Sequence, residues 1–383
     1  MQAQPIRTSP DNAFGHATVT HRLPANIRNV IAVNPGFSSG VRTALEQLAR
    51  EIADNAPLGT LPLPAWDAEQ WNRELEPYRH ERWHDTTWFF AETWAFRRIL
   101  AATRYFETLQ DPYGPMKNRE LESGAPFLPV QRFATSDDPK IALNEALHLC
   151  IWGNKADISF ALGGELDHSS GDRELLLADD SELAAGILAE ATRPVHIVMD
   201  NSGAELAGDL VLAMTILKLT AAPVVLHLKF YPTYVSDTII PDIYTFLAYG
   251  RSHTDPAVQS FCSEVGVAIE DGSITLAPDP YWCETRFLTD APEHISRSLD
   301  DSSMVIIKGD FNYRRGMRDT IWPYGTDAPT AMGITRNLSP HLFLRTMKSD
   351  CLAGTDTEKT GTLDINEPGW RTAGRHGVIQ LVL

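Results

Sequence analysis

The chain has 383 residues, of which 33 are Lys or Arg and 50 are Asp or Glu, for a net charge of −17 at neutral pH. That balance lacks the basic face that nucleic acid or an anionic membrane demands, so neither is expected as a partner, and an anionic substrate has to be captured by a local basic pocket against the overall field. No stretch is apolar enough to span a bilayer, no apolar leader opens the chain, and Cys150, Cys262, Cys283 and Cys351 show no CxxC or Cys/His spacing, so a cytoplasmic protein without a thiolate metal centre is expected.

Residues 1–22 are polar and are expected to be a flexible lead. Residues 23–150 read as a mainly α-helical domain rich in aromatics. Val41 to Asn55 is amphipathic, Asp67 to His80 is a second helical stretch, and Thr87 to Leu109 is a long helix of the buried type. Glu92, Arg97 and Arg98 lie within that apolar setting, where internal ion pairs would satisfy them. Pro126 to Asp138 reads as a loop and Pro139 to Cys150 as a helix, with Trp152-Gly153-Asn154-Lys155 as its stop. Gly163-Gly164 and an acidic loop from Gly171 to Asp180 follow, and a short helix from Ser181 leads to the centre of the chain.

There the apolar run from Val195 to Met199 ends abruptly in Asp200-Asn201-Ser202-Gly203, helical spacing resumes through Leu206, Leu210 and Leu217, and Val224 to Phe230 is again β-rich: a strand, a helix and a strand. Beyond Asp237 come a helical region, a helix from Asp255 to Ile269, a strand around Ile274, a helix near Pro292 to Leu299 and the strand Met304 to Lys308. The last runs into the polar turn Gly309 to Arg315. Leu342 to Lys348 and a final strand from Gly377 to Leu383 close the chain. Alternating strands and helices over 151–383 predict an α/β catalytic domain, a Rossmann-like, mostly parallel sheet flanked by helices, behind the N-terminal α-helical domain.

In such sheets ligands bind at the carboxyl ends of the strands. Asp200, Asn201 and Ser202 stand there, and a helix cap would account for one of them. Three polar side chains plus Asp237 beyond the next strand exceed what a cap needs. Two carboxylates and a carboxamide brought together repel and desolvate one another unless a cation sits between them, and oxygen ligands suit a hard or borderline divalent ion. Asp200, Asn201 and Asp237 are therefore the candidate metal ligands and Asp200, Asn201, Asp237, Asp310 and Asp157 the candidate catalytic residues. Asp157 and Asp310 both qualify as the group that takes a proton from water. Lys308 and Arg314 follow one strand, and Arg345 and Lys348 at i, i+3 spacing are expected to share a helix face, a set suited to phosphate oxygens. Arg315 and Arg318 read as surface cations. The assembled chemistry is that of a metal-dependent phosphatase.

The motifs Trp152-Gly153-Asn154-Lys155-x-Asp157, Asp200-Asn201-Ser202-Gly203-x-Glu205, Val235-Ser236-Asp237-Thr238, Lys308-Gly309-Asp310-x-Asn312-Tyr313-Arg314 and Arg345-Thr346-x-Lys348 stand in the order and spacing of the DUF89 damage-control phosphatases. The chain resembles subfamily III, the branch similar to the acidic-residue methyltransferase. The resemblance implies one divalent metal, manganese foremost with nickel, cobalt or magnesium as alternatives, and a small sugar phosphate or related phosphometabolite as substrate. It places the metal on Asp200, Asn201 and Asp237. It places the substrate phosphate on Asp310, Phe311, Asn312, Tyr313, Arg314 and Lys348, with Arg345 in the same motif and Asn154 and Asp157 nearby. Ala204, and Thr233-Tyr234 before Val235, depart from the usual family residues and imply a reshaped pocket. The rival activity attributed to this branch, S-adenosylmethionine-dependent carboxyl methylation, would want more glycines than the single one after Asp200-Asn201-Ser202. A non-catalytic metabolite-binding homologue is the third expectation.

Overall fold

The computed structural model describes residues 2–61, 65–133, 136–161, 173–334 and 339–383, with the helical backbone but not the side chains of 153–161. Seven strands form its main sheet: β1 (Leu176–Asp179), β2 (Val195–Val198), β3 (Val224–Lys229), β4 (Ile274–Asp279), β5 (Met304–Lys308), β6 (His341–Thr346) and β7 (Gly377–Val382). Their order is β1-β7-β6-β5-β2-β3-β4. The five from β6 to β4 run parallel, β7 is antiparallel to β6, and β1 follows β7 in parallel. All of β2 and all of β5 are buried, so both read as near-continuous apolar runs, broken at His196 and ended by Lys308, rather than alternating ones.

One face is covered by α5 (Pro139–Ala161), α6 (Ser181–Ala189), α7 (Ala204–Leu219), α8 (Ile240–Arg251) and α9 (Pro256–Glu270). The other carries Trp282, Leu299, Phe343 and Trp370. The N-terminal helices α1 (Leu23–Val33), α2 (Ser39–Ala53) and α3 (Trp88–Thr103) enclose a separate apolar cluster around Trp71, Trp83 and Trp94. Arg97 in α3 pairs with Asp67 at 2.5 Å, both fully buried, and Arg98 pairs with Glu51 at 2.8 Å. Breaking a pair as dry as the first costs about 3–5 kcal/mol, because the remaining charge is stranded.

Several expectations are corrected. Residues 4–22 are folded onto the rest: Gln4–Pro5 pairs antiparallel with Thr320–Ile321, Ile6 and Val19 are buried, and a helical turn at Ala13–Ala17 continues into a π-helical turn at Thr18–Arg22. Two isolated apolar residues among polar ones make no periodic signal, and the partner strand lies some 300 residues away, beyond any local reading. The helix α5 does not stop at Trp152 but continues to Ala161, because burial of Ile151 and Trp152 offsets the roughly 1 kcal/mol that an internal Gly costs. The Pro126 to Asp138 loop contains a short helix, Leu128–Arg132, and the acidic loop holds β1. The helix from Thr87 ends at Arg104, which turns left-handed at φ 57°. The polar turn after β5 is a helix, α10 (Gly309–Gly316). Gly163-Gly164 and Gly171 lie outside the described residues.

Candidate functional site

The carboxyl ends of β2, β3, β5 and β6 meet at one edge. After β2 the chain passes through Asp200-Asn201-Ser202 into Gly203, which stands at the N-cap of α7 with φ 73° and no side-chain cap. None of the three polar side chains caps the helix, so they are left for another purpose. Its first free amide, Ala204 N, instead donates to Glu120 of α4 (Gly114–Glu122) at 3.2 Å. The loop after β3 runs alongside: Asn201 and Asp237 form a backbone bridge, Ser202 N donates to Ser236 O at 2.7 Å, and Thr238 N donates to Asp200 O at 2.8 Å. Tyr234 and Val235 just before it are both left-handed, at φ 46° and 71°, a strain borne where the backbone must bring Ser236 and Asp237 to Asn201. Lys117, also from α4, holds this loop from outside, donating to Asp237 O at 3.0 Å and to Asp242 at 2.7 Å.

The side chains are closely ordered. Ser236 Oγ donates to Asn201 Oδ1 at 2.7 Å, and Asn201 Nδ2 donates at 3.0 Å to both Asp200 Oδ2 and Glu205 Oε2. Burial pushes the Asp200 carboxyl well above the usual carboxylate range, and the charges of Glu205 and Asp237 push it further. Burial raises Asp237 to about 6 although the Lys229 ammonium, 3.2 Å away, pulls it down. The oxygen that Lys229 faces, Asp237 Oδ2, is buried. Among the described residues no three His, Cys, Asp or Glu side chains are grouped to hold a metal by themselves. The set on hand is two buried carboxylates and a carboxamide, with the Lys229 ammonium on Asp237 Oδ2, and its oxygen donors are the chemistry that a hard or borderline divalent cation fits.

Asp200, Asn201 and Asp237 line a cleft of about 230 Å³ together with Asp310, Phe311, Arg314 and Lys348. Arg314 lies 3.5 Å from the Trp88 ring centroid and donates to Asp319 at 2.7 Å and to Glu92 at 2.8 Å. Its Nη2 is buried without a hydrogen bond. Asp310 accepts from Arg345 Nε at 2.8 Å, Lys348 N at 3.1 Å and Ser349 Oγ at 3.1 Å, all on Oδ1. Burial alone would raise its pKa, but the Arg345 and Arg314 guanidiniums win and hold it below the ordinary value.

Other candidates sit beneath the cleft rather than in it. Asn312 Nδ2 donates to Met199 O at 3.0 Å and to Lys308 O at 2.9 Å, tying α10 to the ends of β2 and β5. Tyr313 donates to Gln380 at 3.2 Å. Lys308 is buried against Asp209 at 2.7 Å and Glu205 at 3.3 Å. Arg345 lies on a strand and not a helix, fully buried, its guanidinium also donating to Ser349 O and Cys351 O, so it shares no helix face with Lys348. Arg315, read as a surface cation, is likewise fully buried and donates to the Trp282, Glu284 and Arg286 carbonyls; Arg318 donates to the Ala331 and Thr330 carbonyls. The side chains of Asn154, Lys155 and Asp157 lie outside the described residues. Nothing in the sequence placed Arg22, Trp88 or Ser236 in the cleft; Tyr234, expected to reshape the pocket, lines it, and Glu92, expected as an internal ion-pair partner, pairs with Arg314 and lines the cleft as well.

Residues 18–363 match the family model of the damage-control phosphatase ARMT1-like domain. Curated relatives called damage-control phosphatase ARMT1 include one from Xenopus tropicalis, 26% identical over 97% of this chain and 97% of its own length, and one from Homo sapiens, 25% identical over 96% of each. A DUF89 family protein from Pyrococcus horikoshii, solved by crystallography, is similar over 88% of this chain and 95% of its own, with 14% identity and a TM-score of 0.48. With the family model spanning nearly the whole α/β sheet and the helical layer before it, the chain belongs to the damage-control phosphatase ARMT1-like domain family.

Proposed function

We propose that this phosphatase is divalent-metal-dependent and hydrolyses phosphate monoesters of sugar phosphates or related phosphometabolites. The observation that carries the reading is a buried donor without a hydrogen bond, Arg314 Nη2, in one cleft with the buried carboxylates Asp200 and Asp237. Asp200, Asn201 and Asp237 would hold the metal, manganese foremost and nickel, cobalt or magnesium otherwise. Bound there, such an ion polarises a phosphoryl oxygen and lowers the pKa of water. Arg314 is held rigid by Asp319, Glu92 and Trp88, so its spare Nη2 donates to a phosphoryl oxygen without being reordered. The exposed Lys348 ammonium supplies a second, mobile charge. Asp310, with its bonds on Oδ1, keeps Oδ2 to accept a proton from the attacking water and is ionised at neutral pH.

The rival methyl-transfer reading finds less support. A nucleotide-like cofactor would use the amides at the start of α7, and the Glu120 carboxylate already accepts from the first of them, Ala204 N, and fills the space beside Gly203.

The test is phosphate release from sugar phosphates, nucleotides and p-nitrophenyl phosphate by metal-stripped protein reloaded with manganese, nickel, cobalt or magnesium. Release is expected only with metal. Equal release from the stripped protein would overturn the metal assignment, and no release with any ion would overturn the reaction.

A further inference from the structure

Among the described residues three cations line the cleft, and they are not equivalent. Arg314 is neutralised by Glu92 and Asp319 and offers one spare donor. Lys348 is exposed, next to the Asp310 and Asp200 carboxyls. The third, Arg22, comes from the N-terminal segment, is exposed, and forms no ion pair among the described residues. Its only partners there are Thr18 Oγ1, to which Nη1 donates at 3.3 Å, and the Phe14 ring, whose centroid is 5.1 Å from the guanidinium carbon. In a chain with 50 acidic residues, an arginine beside the cleft that no described carboxylate has claimed calls for an explanation.

Its position is built, not incidental. Arg22 ends a π-helical turn, a conformation that is rare and recurs at functional sites. The segment leading to it is pinned by the Gln4–Pro5 pairing, by Thr8 N donating to Thr86 O at 2.9 Å, by Asn12 Nδ2 donating to Asp350 at 3.0 Å, and by Phe14 packed edge-on against Trp88 at 5.5 Å. Trp88 in turn carries Arg314. The N-terminal segment therefore delivers a guanidinium to the cleft on a fixed support that touches the phosphate-binding arginine's own platform.

One phosphoryl group is already served by Arg314 and Lys348. We propose that Arg22 is a specificity-determining residue that reads a second anionic group, so that the preferred substrates are phosphate monoesters bearing a further phosphate or carboxylate. This rests on the phosphatase reading above and deepens it. Arginine suits the role because its planar fork binds either oxyanion in two-point fashion and stays charged at every physiological pH.

The test compares kcat/KM for glucose 1-phosphate and glucose 1,6-bisphosphate, and for glucose 6-phosphate and 6-phosphogluconate, in the wild type, Arg22→Met and Arg22→Lys, all loaded with manganese. The wild type is expected to favour the doubly anionic member of at least one pair. Arg22→Met should cost that member about tenfold more than its singly anionic partner, mostly through KM, the scale of one charge-assisted contact. Arg22→Lys should recover part of the difference. Which pair responds tells a second phosphate from a carboxylate. Equal losses on both members of each pair, or no preference in the wild type, would overturn the inference while leaving the phosphatase reading intact. Absence of phosphate release from every substrate would overturn both.

Discussion

At the scale of single residues, the proposed metal ligand Asp200 comes first. It is buried, flanked by Glu205 and Asp237, and its carboxyl is pushed well above the ordinary range by burial first and by those charges next. A buried carboxylate in that company is a cost to the fold unless a cation offsets it. Asp200→Asn is therefore expected to leave the melting temperature of the metal-free protein unchanged or higher, while phosphate release falls by more than about 100-fold, since even outer-shell partners of a metal are worth about 10–100-fold. Manganese at 100 times its dissociation constant should stabilise the wild type by about 2.7 kcal/mol and the variant by far less. Thermal melts with and without manganese check this, and equal stabilisation of both proteins would remove Asp200 from the ligand set.

Strands β2 and β5 and the turns that follow them form the next scale. The turn from β5 to α10 depends on Gly309, at φ 80°, where a Cβ would stand 1.9 Å from Asp200 Oδ2 and 2.2 Å from its Cγ. No side chain fits between that turn and the carboxylate, so the glycine lets two neighbouring parallel strands deliver their loops to one point. Gly309→Ala is expected to cost about 1–3 kcal/mol from the left-handed backbone and the displaced Asp200, and to abolish most activity. Chemical denaturation beside the phosphate-release assay checks it; a variant with wild-type activity would mean that the contact does not matter to the site. Helix α4 acts on the same edge from the helical layer, with Lys117 on the Asp237 loop and Glu120 on the start of α7, so both loops carrying candidate ligands are held by one element outside the sheet.

At the scale of the whole molecule, stability should depend on pH through a histidine pair inside the sheet. His196 Nδ1 and His227 Nε2 are 2.7 Å apart across β2 and β3, and burial lowers His196 from 6.5 to about 4 and His227 to about 3. Between those values and 6.5 the unfolded chain takes up protons that the folded one refuses. The contribution is thus complete above 6.5 and shrinks as pH falls towards 4 and then 3. Acidification from 6.5 to 5 should cost on the order of 2 kcal/mol per histidine, and the double variant His196→Gln, His227→Gln should lose less over that interval. Denaturation at both pH values checks this, and identical losses would exclude the pair as the cause. Much of the architecture was readable in advance, because local chemistry writes it directly. Mostly apolar runs mark β2 and β5 as strands buried on both faces, and the polar break after each marks the sheet edge where Asp200, Asp310 and Arg314 gather. The long-range arrangement was not readable. Arg345 reads as a phosphate contact and Arg315 as a surface cation, and only the packing around them turns both into buried supports. Residues 1–22 look like a polar lead because their partners, Thr320–Ile321, Thr86 and Asp350, lie far along the sequence. The amino-acid sequence by itself determined most of the elements, the sheet and the residue types of the candidate site, since hydrophobic periodicity and turn chemistry are local. Only the tertiary structure decided which cations face the cleft, which lie beneath it, and that Arg22 joins them, since burial and pairing depend on what distant segments bring into contact.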